Sequence, residues 1–204
     1  MTEALSVLKD KYNVSHETLC DLSSFHDLLL KWQKRLNLIS PKTTNEIWDR
    51  HILDSAQLCS FLPKKPCCIL DIGSGAGLPG VVLSILTNHE IHLVESDRKK
   101  CAFLRTALSR VNSNASVHET RLEEMSSLRA DIITARAFAP LQRLLALTQK
   151  QHHPKLRFLL LKGRDVNSEL INIESWQKIR VVNQHASITS EDGCILELQF
   201  NNTL

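Results

Sequence analysis

The chain has 204 residues, of which 43% are hydrophobic and 23% charged, and its mean hydropathy is −0.14. These values exclude a disordered chain and are typical of one folded domain with an appendage. No apolar stretch reaches the roughly 18 residues that a membrane-spanning helix needs, and the N-terminus lacks the basic start and apolar core of a signal peptide. We therefore expect a cytoplasmic protein with no membrane partner.

Charge and cysteine content restrict the classes of partner and metal site. The net charge of +3 permits a polyanionic partner without requiring one. The cysteines form no Cys-x-x-Cys pair and no Cys/His cluster at the spacing of metal ligands. They are Cys20, Cys59, Cys67, Cys68, Cys101 and Cys194. We expect reduced thiols, no disulfide and no metal.

Residues 1–65 are predicted to be helical. Apolar residues recur every three or four positions over residues 16–36, which predicts an amphipathic helix. A second helix is predicted from Thr43 onward, because Thr43 and Glu46 have the spacing of a capping box. We interpret this segment as an N-terminal helical appendage.

Short apolar runs alternate with helical patterns over residues 66–204. The predicted strands are residues 67–73, 91–96, 115–119, 131–135, 156–163, 178–186 and 193–200. The predicted helices begin at residue 79 or cover residues 98–111, 141–150 and 166–173. This alternation predicts an α/β fold with a mostly parallel sheet that ends in a C-terminal antiparallel hairpin. We interpret this second segment as a cofactor-binding domain.

The segment "DIGSGAGLPG", residues 71–80, lies between the first predicted strand and the helix that follows it. In an open parallel sheet, this turn usually contacts a phosphate or a cofactor. Two glycine patterns overlap here: Gly73-x-Gly75-x-Gly77, and Gly75-x-Gly77-x-x-Gly80, which matches the dinucleotide fingerprint. Neither pattern alone identifies the cofactor.

Three neighbouring residues favour S-adenosylmethionine over a dinucleotide. Asp71 can face a cationic ligand and would repel a pyrophosphate. Pro79 suits the first turn of a helix, which leaves a long glycine loop with no pyrophosphate to hold. Glu95 ends the second predicted strand, about 20 residues past the glycines, where an acid binds ribose hydroxyls in such folds.

Six segments together resemble one known family. They are "KWQKRLNLIS", "RHILDS", "DIGSGAGLPG", "TRLEEM", "ARAFAP" and "LLLKG". In this order, between Lys31 and Gly163, they resemble the RsmG (GidB) family. The resemblance implies a Rossmann-like class I methyltransferase fold. It also implies transfer of a methyl group from S-adenosylmethionine to N7 of a guanine in bacterial 16S ribosomal RNA, in the small ribosomal subunit.

The resemblance also implies cofactor contacts at Gly73, Leu78, Leu122, Glu123 and Arg136. The full set of predicted cofactor contacts also includes the residues inferred from the loop, and all of its members are predicted at one end of the sheet. It consists of Asp71, Gly73, Gly75, Gly77, Leu78, Glu95, Leu122, Glu123 and Arg136. Read without the family, Leu122 is a minor core residue.

Basic residues at the same edge are candidates for RNA contact. Arg136 follows the fourth predicted strand and can clamp either the cofactor carboxylate or an RNA phosphate. Lys162 ends the fifth strand, where it contacts RNA phosphate or only lays its stem along apolar surface. Arg98, Lys99 and Lys100 follow Glu95 and are predicted to contact RNA. No catalytic residue is certain, and Arg136 and Lys162 are the candidates.

Guanine N7 carries a free lone pair, so its methylation needs no general base. The chain also lacks the Asp/Asn-Pro-Pro-aromatic segment that accepts an exocyclic amine, since the corresponding positions read "ARAFAP". Two other functions stay open: an NAD-dependent dehydrogenase, and a non-catalytic RNA-binding module with the same fold. His51 is interpreted as a core histidine. Composition does not determine the oligomeric state, and we expect a monomer.

Overall fold

The computed structural model describes residues 3–171 and 179–200, and its centre is one seven-stranded sheet. The strands are β1 (Cys68–Ile72), β2 (Glu90–Glu95), β3 (Ala115–Glu119), β4 (Ile132–Arg136), β5 (Arg157–Lys162), β6 (Ile179–Ala186) and β7 (Cys194–Phe200). The α-helices in the described ranges are α1 (Glu3–Tyr12), α2 (His16–Gln33), α3 (Asp54–Ala56), α4 (Gly80–Leu86), α5 (Arg98–Leu108), α6 (Leu141–Leu147) and α7 (Val166–Ile171).

The strand order across the sheet is β3-β2-β1-β4-β5-β7-β6. Strands β1 to β5 are parallel, whereas β7 runs antiparallel to β5 and pairs with β6 in a hairpin. The predicted α/β fold with its C-terminal antiparallel hairpin is therefore confirmed. Chain order reverses between β1 and β4, so the carboxyl ends of these two strands frame the crevice where such sheets bind ligands.

Alternating strand residues separate the core into two apolar layers. Ile69 of β1 packs in the layer that also contains Phe25 of α2 and Leu58. Leu70, the next residue, packs in the opposite layer with Leu144 of α6. The segments before residue 65 thus cover one face of the sheet, because their apolar side chains complete that layer. The division of the chain after residue 65 stays a prediction.

The second predicted helix begins later than its sequence pattern indicates, so the capping-box prediction is wrong. Thr43 ends a 3-10 turn, Pro41–Thr43, and its hydroxyl donates to the carbonyl of Ser40 at 3.0 Å. The helical run instead starts as a π-helix, Trp48–Leu53, continues through α3 and ends as a 3-10 helix, Gln57–Phe61. The Thr43 side chain thus bonds to the backbone of its own turn instead of capping a helix.

The remaining predicted elements agree with the observed ones within a few residues. Pro79 precedes α4 as its N-terminal cap residue. Residues 172 and 173 of the predicted helix 166–173, and residue 178 of the predicted strand 178–186, lie outside the described residues. Within the described ranges, each helix is too short or too polar to cross a bilayer.

Candidate functional site

The glycine-rich loop connects β1 to α4 at the carboxyl edge of the sheet. Gly73, Gly75 and Gly77 have φ values of +63°, +52° and +77°, in the left-handed region that side chains with a Cβ rarely adopt. The amide of Ser74 donates to the carbonyl of Val94 at 3.1 Å, which fixes the loop to β2. The glycines are therefore required by backbone conformation as well as by space.

Glu95 is joined to this loop by its carboxylate. Its Oε2 accepts a hydrogen bond from the amide of Gly75 at 3.0 Å. Its Oε1 accepts bonds from the amides of Ser96 and Asp97, each at 2.8 Å. Only 8% of the residue is exposed. The acid therefore has a single defined position, at the edge where we predict that it binds ribose hydroxyls.

Asp71 differs from its prediction, because it does not face the crevice. The residue is 0% exposed and lies beneath the start of α4, where a Cβ on Gly80 would come within 2.6 Å of its Oδ2. Thr134 Oγ1 donates to Oδ1 at 3.1 Å, whereas Oδ2 has no hydrogen-bond partner among the described residues. Burial raises the pKa of Asp71 to about 7. This carboxyl group supports the loop from below, so the predicted contact with a cationic ligand is corrected.

Phe138 lies against the glycine loop on the side of β4. A Cβ built on Gly73 would come within 2.2 Å of Cδ2 of the Phe138 ring. The same ring lines a cavity of about 520 Å³ at the carboxyl ends of β4 and β5. Phe138 is therefore a wall shared by the loop and the cavity.

Arg136 leaves the end of β4 and connects it to the helical segment before β1. Its Nε lies 3.4 Å from Oδ2 of Asp54, and its Nη2 donates to the carbonyl of Arg50 at 2.9 Å. The three residues line the same side of the cavity. Arg136 thus lies at the predicted edge, and in this structure its guanidinium binds protein groups.

His51 lies in the same helical segment and is buried, as expected of a core histidine. Its Nε2 lies 2.8 Å from Oγ1 of Thr43, but its Nδ1 has no partner among the described residues. Burial, then the charges of Arg136 and Arg50, lowers the pKa of His51 to about 3. The imidazole is neutral at physiological pH and is bonded on one side only.

Lys162 ends β5, and its ammonium group binds two protein acceptors in this structure. Its Nζ donates to the carbonyl of Ala139 at 3.1 Å and lies 2.5 Å from Oε2 of Glu169 on α7. The same Oε2 accepts a bond from the amide of Leu141 at 2.6 Å, at the start of α6. The predicted contact of Lys162 with an RNA phosphate is untested, and an ammonium group held between two protein acceptors is a poor candidate for it.

The other predicted contacts surround the loop at different depths. Leu122 lies in the 3-10 turn Leu122–Glu124 and is 5% exposed within the apolar layer of α6, so it is mainly a core residue. Glu123 is exposed beside it. Leu78 is 6% exposed in the loop itself. Their contacts with a cofactor stay predictions.

Arg98, Lys99 and Lys100 begin α5, just beyond Glu95. The amides of Lys99 and Lys100 donate to Oδ1 of Asp97, which caps this helix, at 2.8 and 3.0 Å. Arg98 and Lys99 are exposed, and Lys100 is half-buried. The helix cap therefore presents a basic surface at the same edge of the sheet as the glycine loop.

A separate group of side chains meets at the opposite edge of the sheet. One ligand-type atom from each of Cys68, Glu90 and His92 lies within 4.8 Å of the other two. The sequence spacing could not reveal this group, because it depends on the parallel register that pairs Cys68 with Glu90. Burial raises the pKa of the Cys68 thiol to about 11, so in this structure the thiol is protonated at physiological pH.

Comparison with known proteins identifies the family. The family model GidB, described as rRNA small subunit methyltransferase G, matches residues 18–192. The chain belongs to the GidB family. It is 42% identical over 185 residues to a ribosomal RNA small subunit methyltransferase G of Dinoroseobacter shibae, covering 88% of this chain and 94% of that one. It is 39% identical over 186 residues to the protein of the same name from Rickettsia rickettsii, covering 91% and 95%.

Solved structures with low sequence identity share the fold of this GidB-family chain. The glycopeptide N-methyltransferase MtfA complexed with S-adenosyl-L-methionine has a TM-score of 0.61 at 11% identity, covering 72% of this chain and 93% of that one. Magnesium protoporphyrin IX methyltransferase (ChlM) from Synechocystis PCC 6803 has a TM-score of 0.62 at 11% identity, covering 87% and 97%. Both confirm the predicted methyltransferase fold.

In this member of the GidB family, sequence reasoning found the loop, Glu95 and Arg136 but missed three residues of the cavity. Phe138 stands inside the quoted segment "ARAFAP", yet nothing in the sequence places its ring against Gly73. Asp54 and Glu169 were missed as partners of basic residues. Glu169 follows Lys162 by seven positions, so a search for acids near each candidate base would have found this pair.

Proposed function

We propose that the protein transfers a methyl group from S-adenosylmethionine to N7 of a guanine in 16S ribosomal RNA of the small subunit. One observation carries this proposal. The glycine loop and the fixed carboxylate of Glu95 adjoin a cavity large enough for a base, and Phe138 forms their common wall. Membership of the GidB family supports the substrate.

The residues of the loop fit this cofactor. The carboxylate of Glu95 suits ribose hydroxyls. Gly75 leaves open space, since a Cβ there would have no neighbouring atom closer than 3.6 Å. In the proposal, Glu95 binds the ribose and the loop amides face the rest of the nucleoside.

S-adenosylmethionine supplies an electrophilic methyl group on a sulfonium. The protein's task is to hold the acceptor base in line with that group and to exclude other acceptors. The N7 lone pair forms the new N–C bond, the S–C bond breaks, and its electron pair stays on sulfur. Since N7 carries no proton, no base is required. This agrees with His51, which is buried and which the charges of Arg136 and Arg50 help to keep neutral.

The side chains around the cavity act by positioning. Arg136 joins β4 to the helical segment through Asp54 and the carbonyl of Arg50, which fixes one wall. The basic start of α5, Arg98 to Lys100, contacts RNA phosphate next to the cofactor. Arg136 contributes to the orientation of both ligands. We propose that the protein acts as a monomer, in the cytoplasm with the ribosomal RNA.

Two measurements test the proposal against its alternatives. Titration calorimetry should give saturable binding of S-adenosylmethionine and none of NAD. Binding of NAD alone would favour a dehydrogenase. Sequencing of N7-methylguanine in small-subunit RNA from a strain lacking the gene should show the loss of one site, which the wild-type gene restores. If the N7-methylguanine is unchanged in that strain, the protein is instead a non-catalytic RNA-binding module.

A further inference from the structure

The cavity at the ends of β4 and β5 has carboxylates on two walls. Asp54 is fully engaged on one wall. Its Oδ1 accepts bonds from Gln57 Nε2 at 2.7 Å and from Thr189 Oγ1 at 2.8 Å. Its Oδ2 faces Arg136. Both oxygens of Asp54 are therefore held by protein groups.

Glu169 on the other wall is different, because only one of its two oxygens is used. Oε2 accepts bonds from the amide of Leu141 and from Nζ of Lys162. Oε1 has no hydrogen bond in the described part of the chain. About 22% of the side chain is exposed, and the residue lines the cavity. The ion pair with Lys162 and the amide of Leu141 fix the carboxylate, so Oε1 is a positioned acceptor.

We propose that Glu169 is the residue that recognises guanine, by accepting hydrogen bonds from N1–H and the N2 amino group. The inference rests on the proposed function and names the acceptor subsite. Guanine presents these two donors on the edge opposite N7. A base stacked on Phe138 with its N7 toward the glycine loop therefore turns its donor edge away from the loop, toward the part of the lining that carries Glu169.

Phe138 supplies the stacking surface for this base. Its ring is half-buried and lines the cavity, and its Cδ2–Cε2 edge lies against Gly73. Bases taken out of RNA structure are commonly stacked on aromatic side chains and identified by hydrogen bonds to their Watson–Crick edge. The ring and the carboxylate have separate roles, since stacking accepts any base and only the carboxylate distinguishes among bases.

The arrangement selects against the other purine. Adenine presents an unprotonated N1 where guanine presents N1–H, so its lone pair would face Oε1 of Glu169. Two acceptors in contact within a partly dehydrated cavity repel each other, and neither finds a donor. Inosine keeps N1–H but lacks the amino group, so it loses only one of the two bonds.

The test compares acceptor bases in reconstituted small ribosomal subunits. Subunits are assembled from RNA with guanine or inosine at the methylated position, and kcat/KM is measured for wild type, Glu169→Gln and Asp165→Asn. A hydrogen bond to a charged group predicts a preference of wild type for guanine of about 10- to 100-fold. In Glu169→Gln the preference should fall to about two- to fivefold, because a hydrogen bond to a neutral acceptor is weaker. Asp165 is exposed near the start of the same helix, so Asp165→Asn should keep the wild-type preference.

The ratio separates recognition from structural support. A purely structural Glu169 would lower kcat/KM for both bases equally and leave the preference unchanged, which would overturn the inference. Should Glu169→Gln fail to fold in thermal unfolding, wild type alone decides, because equal rates on guanine and inosine also overturn it. The absence of any transfer by wild type to guanine would instead refute the proposed function.

Discussion

The buried carboxyl group of Asp71 makes stability depend on pH. Burial raises its pKa from 3.8 to about 7 in the folded protein. Between these values, the folded state keeps the proton and the unfolded state releases it, so the unfolded state binds fewer protons. The free energy of unfolding therefore falls as pH rises through this window, and it stops falling above about pH 7.

The size of the effect follows from the shift. A shift of about 3 pH units, at about 1.4 kcal/mol for each unit, gives a loss of about 4 kcal/mol across the whole window. Asp71→Asn keeps the shape and the acceptor for Thr134 Oγ1 but cannot ionise. The variant should therefore gain about 3 kcal/mol relative to wild type between about pH 5 and about pH 8.

Urea unfolding at several pH values measures this difference directly. Asp10→Asn serves as the control, because Asp10 is exposed and its carboxylate accepts a bond from the exposed Ser6. The control should follow the wild-type curve at every pH. Parallel curves for Asp71→Asn and wild type would refute the reasoning, because Asp71 would then titrate alike in both states.

Three further substitutions test the glycine loop, the basic start of α5 and the contacts of Arg136 that connect β4 to the helical segment. Gly73→Val should abolish detectable binding of S-adenosylmethionine in calorimetry, because the left-handed backbone and the Phe138 ring leave no room for a branched side chain. The control Gly163→Val should bind normally, because a Cβ there has no atom within 4 Å. Lys99→Gln should reduce the slope of log K for RNA binding against log salt concentration by about 1, whereas Lys162→Gln should leave that slope unchanged. Equal slopes for the two variants would contradict the proposal that the start of α5 contacts RNA phosphate. Arg136→Lys should lower the free energy of unfolding, measured in urea, by about 1–3 kcal/mol, because an ammonium group cannot reproduce both contacts of the guanidinium. A stability equal to wild type would contradict a stabilising role for these contacts.

Local patterns predicted the sheet and the loop because both depend on nearby residues. The glycines at positions 73, 75 and 77 all have positive φ, and Glu95 reaches the loop because β2 is the neighbour of β1. The hairpin of β6 and β7 was predicted from two strand-like runs close together in sequence. In each case the periodicity of the sequence, or a short connection between two elements, determines which segments lie side by side.

The rest of the site depends on contacts between distant segments. Arg136 pairs with Asp54 across the sheet edge, and no local pattern indicates that partner. Asp71 was expected in the crevice because it precedes the glycines. Its side chain points under α4 instead, since strand residues alternate between faces and the loop closes above it. By contrast, the partner of Lys162 is Glu169, only seven positions along the chain, and a search for nearby acids would have found it.

The most direct test of the proposed activity uses small ribosomal subunits purified from a strain that lacks the gene. The purified protein and S-adenosylmethionine with a radiolabelled methyl group are added to the subunits, and the RNA is digested to nucleosides. We predict that the label appears in 7-methylguanosine, from a single nuclease fragment, and that wild-type subunits accept almost none. Label in any other nucleoside, or no label in the RNA, would contradict the proposed reaction.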